Sequence, residues 1–337
     1  MPDTRFDVLA IGNAIVDIIA RCDDAFVARH GLDKGHMHLV DAERSAKLYA
    51  DVGPAIETSG GSAGNTIAGV ASLGGRGAYF GKVADDTFGK IFRHDIRSLG
   101  VAFNSTPAIG APTATSIILV TPDGERTMNT FLGACVLLDE ADVVPEIVQA
   151  ARITYMEGYL FDRPAAKRAF RLAGNLAHEA GRKVALTLSD GFCVDRHRAE
   201  FLDLIRTSVD IVFANTAELA SLYQTTDFEA ACAAIARDAP LSAVTRGAAG
   251  SVIIRGDERV AVPAEPIGKI VDATGAGDLY AAGFLYGHAR GAPLATCGRL
   301  ASIAAAEVIS HIGPRPERRL ADLMREKGLS VIGVGKG

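Results

Sequence analysis

The 337-residue chain is 48% apolar and 22% charged, with a formal net charge of -5, so it can bury a large core as one generous domain or two. Its mild acidity, with no basic run beyond the patch Arg315 to Arg319, argues against nucleic acid as the main partner. No apolar run is long enough to span a bilayer, and five scattered cysteines without a C-x-x-C pair fit reduced, cytoplasmic surroundings.

After the short polar stretch Met1 to Arg5, Phe6 to Ile11 predicts a strand ending in Gly12-Asn13, with Asp17 four residues on. Groups just beyond the carboxyl end of a strand line the crevice of an α/β protein, so Asn13 and Asp17 are candidates for binding substrate hydroxyls. A carboxylate accepts from two neighbouring hydroxyls at once, which suits a vicinal diol. Residues from Ala20 to Asp51 are mixed, with a short strand at His36 to Val40 and a helix from about Ala42 to Val52. His36 and His38 lack a third metal ligand at a recognised spacing.

Ser59-Gly60-Gly61-Ser62-Ala63-Gly64-Asn65-Thr66 is a glycine concentration running into a helix. Such a turn lets the backbone close on a ligand, with the Asn65 amide free for a hydroxyl. A strand at Gly77 to Val83 follows, then a helix to Leu99. Gly81-Lys82 and Gly89-Lys90 are not P-loops, because Val83 and Ile91 stand where a magnesium-binding hydroxyl is required. Ala114 to Val120 and Thr127 to Phe131, joined through Pro122-Asp123-Gly124, read as a β-hairpin. Arg126 near its turn could swing onto a phosphate as a lid closes.

Beyond Asp139 the periods become regular. A helix to about Ala150, a strand at Arg152 to Glu157, a helix from Pro164 to Gly181, a strand at Lys183 to Ser189, a helix from Arg198 to Thr207 and a strand at Ile211 to Ala214 succeed one another. That alternation marks an open, mostly parallel sheet with helices on both faces. Asn215 and Glu218 share one side of the next turn and could order water around magnesium, or simply cap a helix. Leu241 to Thr245 is a further strand. The turn containing Thr245, Gly247 and Gly250 leads into a strand at Ser251 to Arg255 and could meet nucleotide phosphates or ribose. Near the end, Thr296 to Ile309 predicts an Ala-rich helix stopped by Gly313-Pro314. His311 just after it is read as satisfied by helix carbonyls.

Between these lies Asp272-Ala273-Thr274-Gly275-Ala276-Gly277-Asp278, followed by an Ala- and Leu-rich run. A loop that becomes a helix near Gly275 presents free N–H groups and a positive dipole end to an anion, with the Asp278 carboxylate in the same turn. A diol clamp, a glycine turn, a hairpin lid and a late anion cradle with an acid together describe phosphoryl transfer to a hydroxyl.

The chain resembles the ribokinase-like, or PfkB, carbohydrate kinases over its whole length. Asp272 to Asp278 matches their C-terminal signature, Asn215-Thr216-Ala217-Glu218 their N-x-x-E element, and Gly60-Gly61 with Asn65 their N-terminal glycine motif. The resemblance implies a three-layer α/β/α fold with a central, mostly parallel sheet and a small β-sheet lid. One domain would span 1–337, its lid formed by about 14–40 and 105–131. It also implies ATP and Mg2+, with Asp278 as base and the N–H groups of Gly275, Ala276 and Gly277 as anion hole. Asn215 and Glu218 would arrange magnesium through water, and Thr245, Gly247 and Gly250 would contact nucleotide. Ala273 stands where the family usually has Thr, which bears on a K+ site at Asp272 and Thr274.

Within the family the nearest pattern is that of adenosine kinases, carried by Gly12-Asn13 with Asp17, Leu32-Asp33-Lys34 and Ser59 to Thr66. It implies Asp17 on the ribose 2′ and 3′ hydroxyls, the 5′ hydroxyl near Asp278, Arg126 on the phosphates, and Met37, Leu39 and Phe131 as a bed for a purine. A kinase of ribose, fructose or a related sugar is the alternative. A dehydrogenase lacks its G-x-G-x-x-G after the first strand, and a non-catalytic ligand-binding member of the fold is a third possibility. A small-molecule acceptor, a cytoplasmic location and a monomer or homodimer complete the expectations.

Overall fold

In the computed structural model, which describes residues 4–329, the chain builds two sheets. Strand β1 (Phe6–Ile11) begins the larger one, and the chain then leaves it for β2 (Ile15–Arg21), helix α1 (Asp24–Arg29), β3 (Met37–Leu39), α2 (Ala42–Asp51) and β4 (Ala55–Gly60). Helix α3 (Ser62–Ser72) leads back to the large sheet at β5 (Gly77–Phe80). After α4 (Thr87–Ser98), the hairpin β6 (Ala114–Val120) and β7 (Arg126–Phe131) completes the small sheet. The regular alternation follows: α5 (Pro145–Gln149), β8 (Ala151–Glu157), α6 (Pro164–Glu179), β9 (Lys183–Thr187), α7 (Gly191–Ser208), β10 (Ile211–Asn215), α8 (Thr216–Tyr223), α9 (Phe228–Asp238) and β11 (Leu241–Thr245). An antiparallel pair, β12 (Ser251–Arg255) and β13 (Glu258–Val262), precedes α10 (Ala276–Ala289), α11 (Leu294–Val308) and α12 (Leu320–Glu326).

The large sheet runs β13-β12-β11-β10-β9-β8-β1-β5, antiparallel only at β12 and β13. Its strands alternate between two buried clusters, as a pleated sheet covered on both faces requires. Val8 and Ala10, Ile153 and Tyr155, and Ile211 and Phe213 face α3, α10 and α11. Leu9 and Ile11, Val184 and Leu186, and Val212 face the helices from α5 to α9. This is the expected α/β/α sandwich, and the parallel strands deliver Asn215, Thr245 and Glu157 at one end of the sheet. Among the described residues no helix is long and apolar enough to cross a membrane.

The small sheet runs β3-β7-β6-β2-β4. Segments 14–40 and 105–131 supply four of its strands, and β4, outside both, adds the fifth by antiparallel pairing with β2. Asp17 therefore lies in the middle of a strand, opposite Thr58 and Ser116, rather than in a turn after β1. One face, with Val16, Ile18, Ile117 and Leu119, packs on Phe26, Leu48, Phe92 and Ile96 from the flanking helices. The other carries Asp17 and, by register, Ile19, Ile56, Met128, Met37 and Leu39.

Other element boundaries differ for identifiable reasons. Helix α7 begins seven residues before the expected Arg198, because Asp190 caps it by accepting the Cys193 N–H, and it is broken at His197. The expected helix before Ala150 shrinks to α5 with Pro145 at its first position, preceded by short 3₁₀ turns. His311 is held by the carboxylates of Glu307 and Glu317 as well as by the Ile312 carbonyl.

Helices α10 and α11 approach closely because Gly283 has no side chain: a Cβ there would lie 2.7 Å from backbone atoms of Ala301. Gly283→Leu should therefore lower stability by about 2 kcal/mol. An unchanged urea midpoint would show that the helices are not in such contact.

Candidate active site

The sequence changes from loop to helix at Gly275, which takes a left-handed φ of 80° as N-cap of α10. Pro314 lies so close that a Cβ on Gly275 would come within 2.9 Å of its Cα. Ala276 and Gly277 form the exposed side of the first turn, where N–H groups have no carbonyl one turn back. The Ala276 N–H reaches the Ala273 carbonyl at 3.3 Å, and a Cβ on Gly277 would meet open space. Asp278 follows one position later. Its Oδ1 accepts from Ser62 Oγ at 2.6 Å and its Oδ2 from Asn65 Nδ2 at 2.9 Å, both from the first turn of α3. Burial pushes its pKa up, while these two hydrogen bonds and the charge of Arg315 pull it down.

Across the cleft, Asp17 is buried at 6% exposure, and its pKa is raised to about 7 by burial and by Asp278, against the charges of Arg315 and Arg126. Gly60 and Gly61 are needed here in different ways. A Cβ on Gly60 would collide with the Asp17 carboxylate, whereas Gly61, at φ 81°, passes against the Asn13 carbonyl. The Asn13 amide does not point free: Nδ2 donates to Glu157 Oε1 at 2.9 Å. Glu157 Oε2 accepts the Ala63 N–H of α3 at 2.8 Å. The Glu157 carboxyl is raised to about 7, chiefly by burial and further by Asp278, with the Ala63 and Asn13 bonds opposing.

Arg126, at the start of β7, is not solvated. Its Nη1 donates to Thr274 Oγ1 at 3.4 Å, and its Nη2 lies 2.6 Å from Asp272 Oδ2, a charge contact outside hydrogen-bond geometry. Asp272 also accepts the N–H groups of Thr274 and Gly313 at 3.0 and 2.9 Å. The guanidinium thus stands where a monovalent cation was expected, and such an ion would have to displace it. Of the apolar residues expected to meet a purine, Met37 and Leu39 share the Asp17 face and are 48% and 63% exposed. Phe131 does not, because strand parity sends it to the opposite face from Arg126, Met128 and Thr130.

On the other side of Asp278 the Asn215 and Glu218 pair is a complete capping box. Glu218 N–H donates to Asn215 Oδ1, while Asn215 N–H and Nδ2 donate to the two Glu218 oxygens at 3.0 and 2.6 Å. Burial raises the Glu218 carboxyl to about 7. Both residues border a cavity of about 80 Å³ that also touches Asp278, Gly277, Thr245 and Ser189. Ser189 is one of two non-glycine residues with positive φ among those described. Thr245, Gly277 and Tyr280 are shared with an adjoining cavity of about 500 Å³, walled by Gly247, Gly250, Ile267, Ile270, Ala305 and Ile309.

The apolar wall, the glycine-lined mouth and the open first turn of α10 fit a nucleotide triphosphate. Glu218 and Asn215 border the smaller cavity with carboxylate and amide oxygens, the donor class that magnesium held through water takes. A shallower groove of about 530 Å³ near Arg206 to Asp210 and Arg237 to Pro240 lies at the opposite ends of the strands, away from these groups.

Sequence reasoning missed three members of the site: Ser62, Glu157 and Arg315. Ser62 sat inside the glycine motif and carried a visible signal. Glu157 is the last residue of a strand, the position from which Asn215 was picked, whereas Arg315 gave no signal beyond its place in a short basic patch.

The chain matches the pfkB family of carbohydrate kinases over residues 47–319. A probable sugar kinase from Rhizobium etli is 55% identical, with a TM-score of 0.91 over 97% of this chain and 99% of that one. The adenosine kinase from Sinorhizobium meliloti is 57% identical, with a TM-score of 0.90 over 96% and 100%. Adenosine kinase from Saccharomyces cerevisiae is 27% identical over 329 residues, 91% of this chain and 96% of its own.

A carboxyl raised in the folded state favours folding at low pH, and that contribution is lost as pH rises through the folded pKa. For Glu157 the window runs from the ordinary 4.5 to about 7. The melting temperature of Glu157→Gln relative to wild type should therefore climb between pH 5 and pH 8. A difference that stays flat would mean that Glu157 is ionised throughout.

Proposed function

Because the chain belongs to the pfkB family of carbohydrate kinases, we propose that it transfers the γ-phosphoryl group of ATP to a primary hydroxyl, the 5′ hydroxyl of adenosine, giving AMP. The observation that carries this reading is a buried carboxylate, Asp17 on the small sheet, close enough to feel the charge of a half-buried one, Asp278 at the first turn of α10, whose small cavity adjoins one of about 500 Å³. Asp17 binds the ribose diol, leaving the 5′ hydroxyl to reach Asp278. Asp278 takes the hydroxyl proton as the oxygen bonds to phosphorus, and the departing diphosphate carries away the electrons of the broken bond.

The other groups bind and orient. First-turn N–H groups of α10 face the moving phosphoryl group, and they need no reorganisation as charge develops. Asn65 and Ser62 fix the orientation of the Asp278 carboxylate, and Glu157 locks Asn13 and the start of α3. Magnesium, when bound, offsets phosphate charge, with Glu218 and Asn215 holding its water. The small sheet acts as a lid, bringing Arg126 within reach of the phosphates.

The relatives named adenosine kinase support the nucleoside, as do Met37, Leu39 and Ile56, which are exposed on the Asp17 face. A bare sugar has no use for that apolar surface. The sugar-kinase reading rests on the Rhizobium etli relative and on a diol clamp that does not sense the anomeric substituent.

Phosphate transfer from ATP should be measured with adenosine beside ribose and fructose. A strong rate with fructose and none with adenosine would overturn the nucleoside assignment. Asp278→Asn should keep adenosine binding by calorimetry while turnover falls at least about a hundredfold. Retained turnover in a clean preparation would remove Asp278 from the role of base. Arg126→Ala should lower kcat far more than it raises the adenosine Kd, and an unchanged kcat would confine the guanidinium to its pairing with Asp272.

A further inference from the structure

Arg315 enters the site from the loop after α11, and that loop is clamped at both ends. Gly313 N–H donates to Asp272 at 2.9 Å, and Pro314 abuts Gly275. Beyond it, the N–H groups of Glu317 and Arg318 donate to Glu307 Oε1 at 3.0 and 2.9 Å, and Glu307 is itself buried. The side chain is therefore delivered from a fixed backbone. Nη2 donates to Ser59 Oγ at 2.9 Å and would lie 3.5 Å from a Cβ on Gly64. Ser59 in turn donates from its N–H to Asp95 at 2.8 Å. Nε and Nη1 are buried with no hydrogen-bond partner.

A guanidinium with two nitrogens left dry is costly unless surrounding charge compensates. The compensating groups come from several elements: Asp17 from β2, Asp95 from α4 and Asp278 from α10, with the Tyr79 phenol of β5 nearby. Asp17 also feels Arg126, while Asp278 shares its surroundings with Glu157, Tyr155 and Tyr159. We propose that Arg315 is a positioning residue whose buried positive charge stands among the acids of the site, and whose bond to Ser59 ties the β4–α3 turn to the catalytic loop. In both acids its charge opposes the upward push of burial. The inference rests on the phosphoryl-transfer reading for its kinetic consequence but not for its electrostatic one.

The test compares Arg315→Met, Arg315→Gln and Arg315→Lys with wild type. Gln loses the charge but can still bond Ser59, which covers a failure of the Met variant to fold. With the acceptor that wild type uses best, the acid limb of kcat/KM should move up by about one pH unit in Met and Gln. Their deficit would then approach about tenfold at pH 6 and shrink toward pH 9, and Lys should restore the limb. Carboxyl ¹³C shifts of Asp17 and Asp278, assigned with Asp17→Asn and Asp278→Asn, should titrate higher in the neutral variants even if every acceptor fails. Inactivity of wild type on all acceptors would sink the proposed function alone. Unmoved carboxyl titrations, or a loss equal at every pH and no better in Lys, would overturn the role of Arg315.

Discussion

Two helix N-termini meet around one carboxylate, and the rest of the site is arranged to permit it. Asp278 stands in the first turn of α10 and accepts both its hydrogen bonds from the first turn of α3. Both helices direct the positive ends of their dipoles toward the same small volume. Their close approach is prepared further along by Gly69, where a Cβ would come 2.6 Å from Ala282 and Leu279 side chains. Glu157 extends the logic by accepting the Ala63 N–H from the same turn of α3. Acids that would repel one another in an apolar pocket are held by N–H groups, one hydroxyl and Arg315.

The two sheets are joined across the cleft by charge as well as by chain. Arg126 belongs to the small sheet and Asp272 to the loop before α10, with 10% and 4% of their side chains exposed. Any outward movement of the small sheet must rehydrate both ions, and breaking a pair this dry is unfavourable until something else meets the guanidinium. Phosphate oxygens are the natural replacement, because they match its planar donors.

The parts of this molecule legible in sequence were those whose signal is local. The run after Asp278 declares a helix through its Ala and Leu content, and the alternation beyond Asp139 revealed the parallel sheet because each strand is buried on both faces. The small sheet was harder. Strand β4, Ala-Ile-Glu-Thr-Ser-Gly, is half polar because Glu57, Thr58 and Ser59 bond to Tyr49 and Asp95 of the flanking helices, and β2 conceals Asp17 inside a strand pattern. Arg315 was invisible for a different reason. Its partner Ser59 lies 256 residues away, so nothing near it in sequence hints at its use, whereas Glu157 stands at a strand end as Asn215 does and only its partner Ala63, 94 residues away, was hidden. Phe131 illustrates a third kind of error, in which the strand was placed correctly but its parity was not.

Strand β1 sits between β8 and β5 in the large sheet, and this order has a consequence for how the protein comes into being. On a ribosome the first strand emerges early, yet its partner on one side ends at Phe80 and on the other at Glu157. Until about half the chain has been made, an apolar segment with both edges open has at most one lasting neighbour. Long-range parallel pairing of this kind is slow and leaves unpaired edges exposed. The newborn chain therefore keeps β1 half-paired until β8 is free, and a pause in translation once Glu157 has emerged from the ribosome would give β1 time to close.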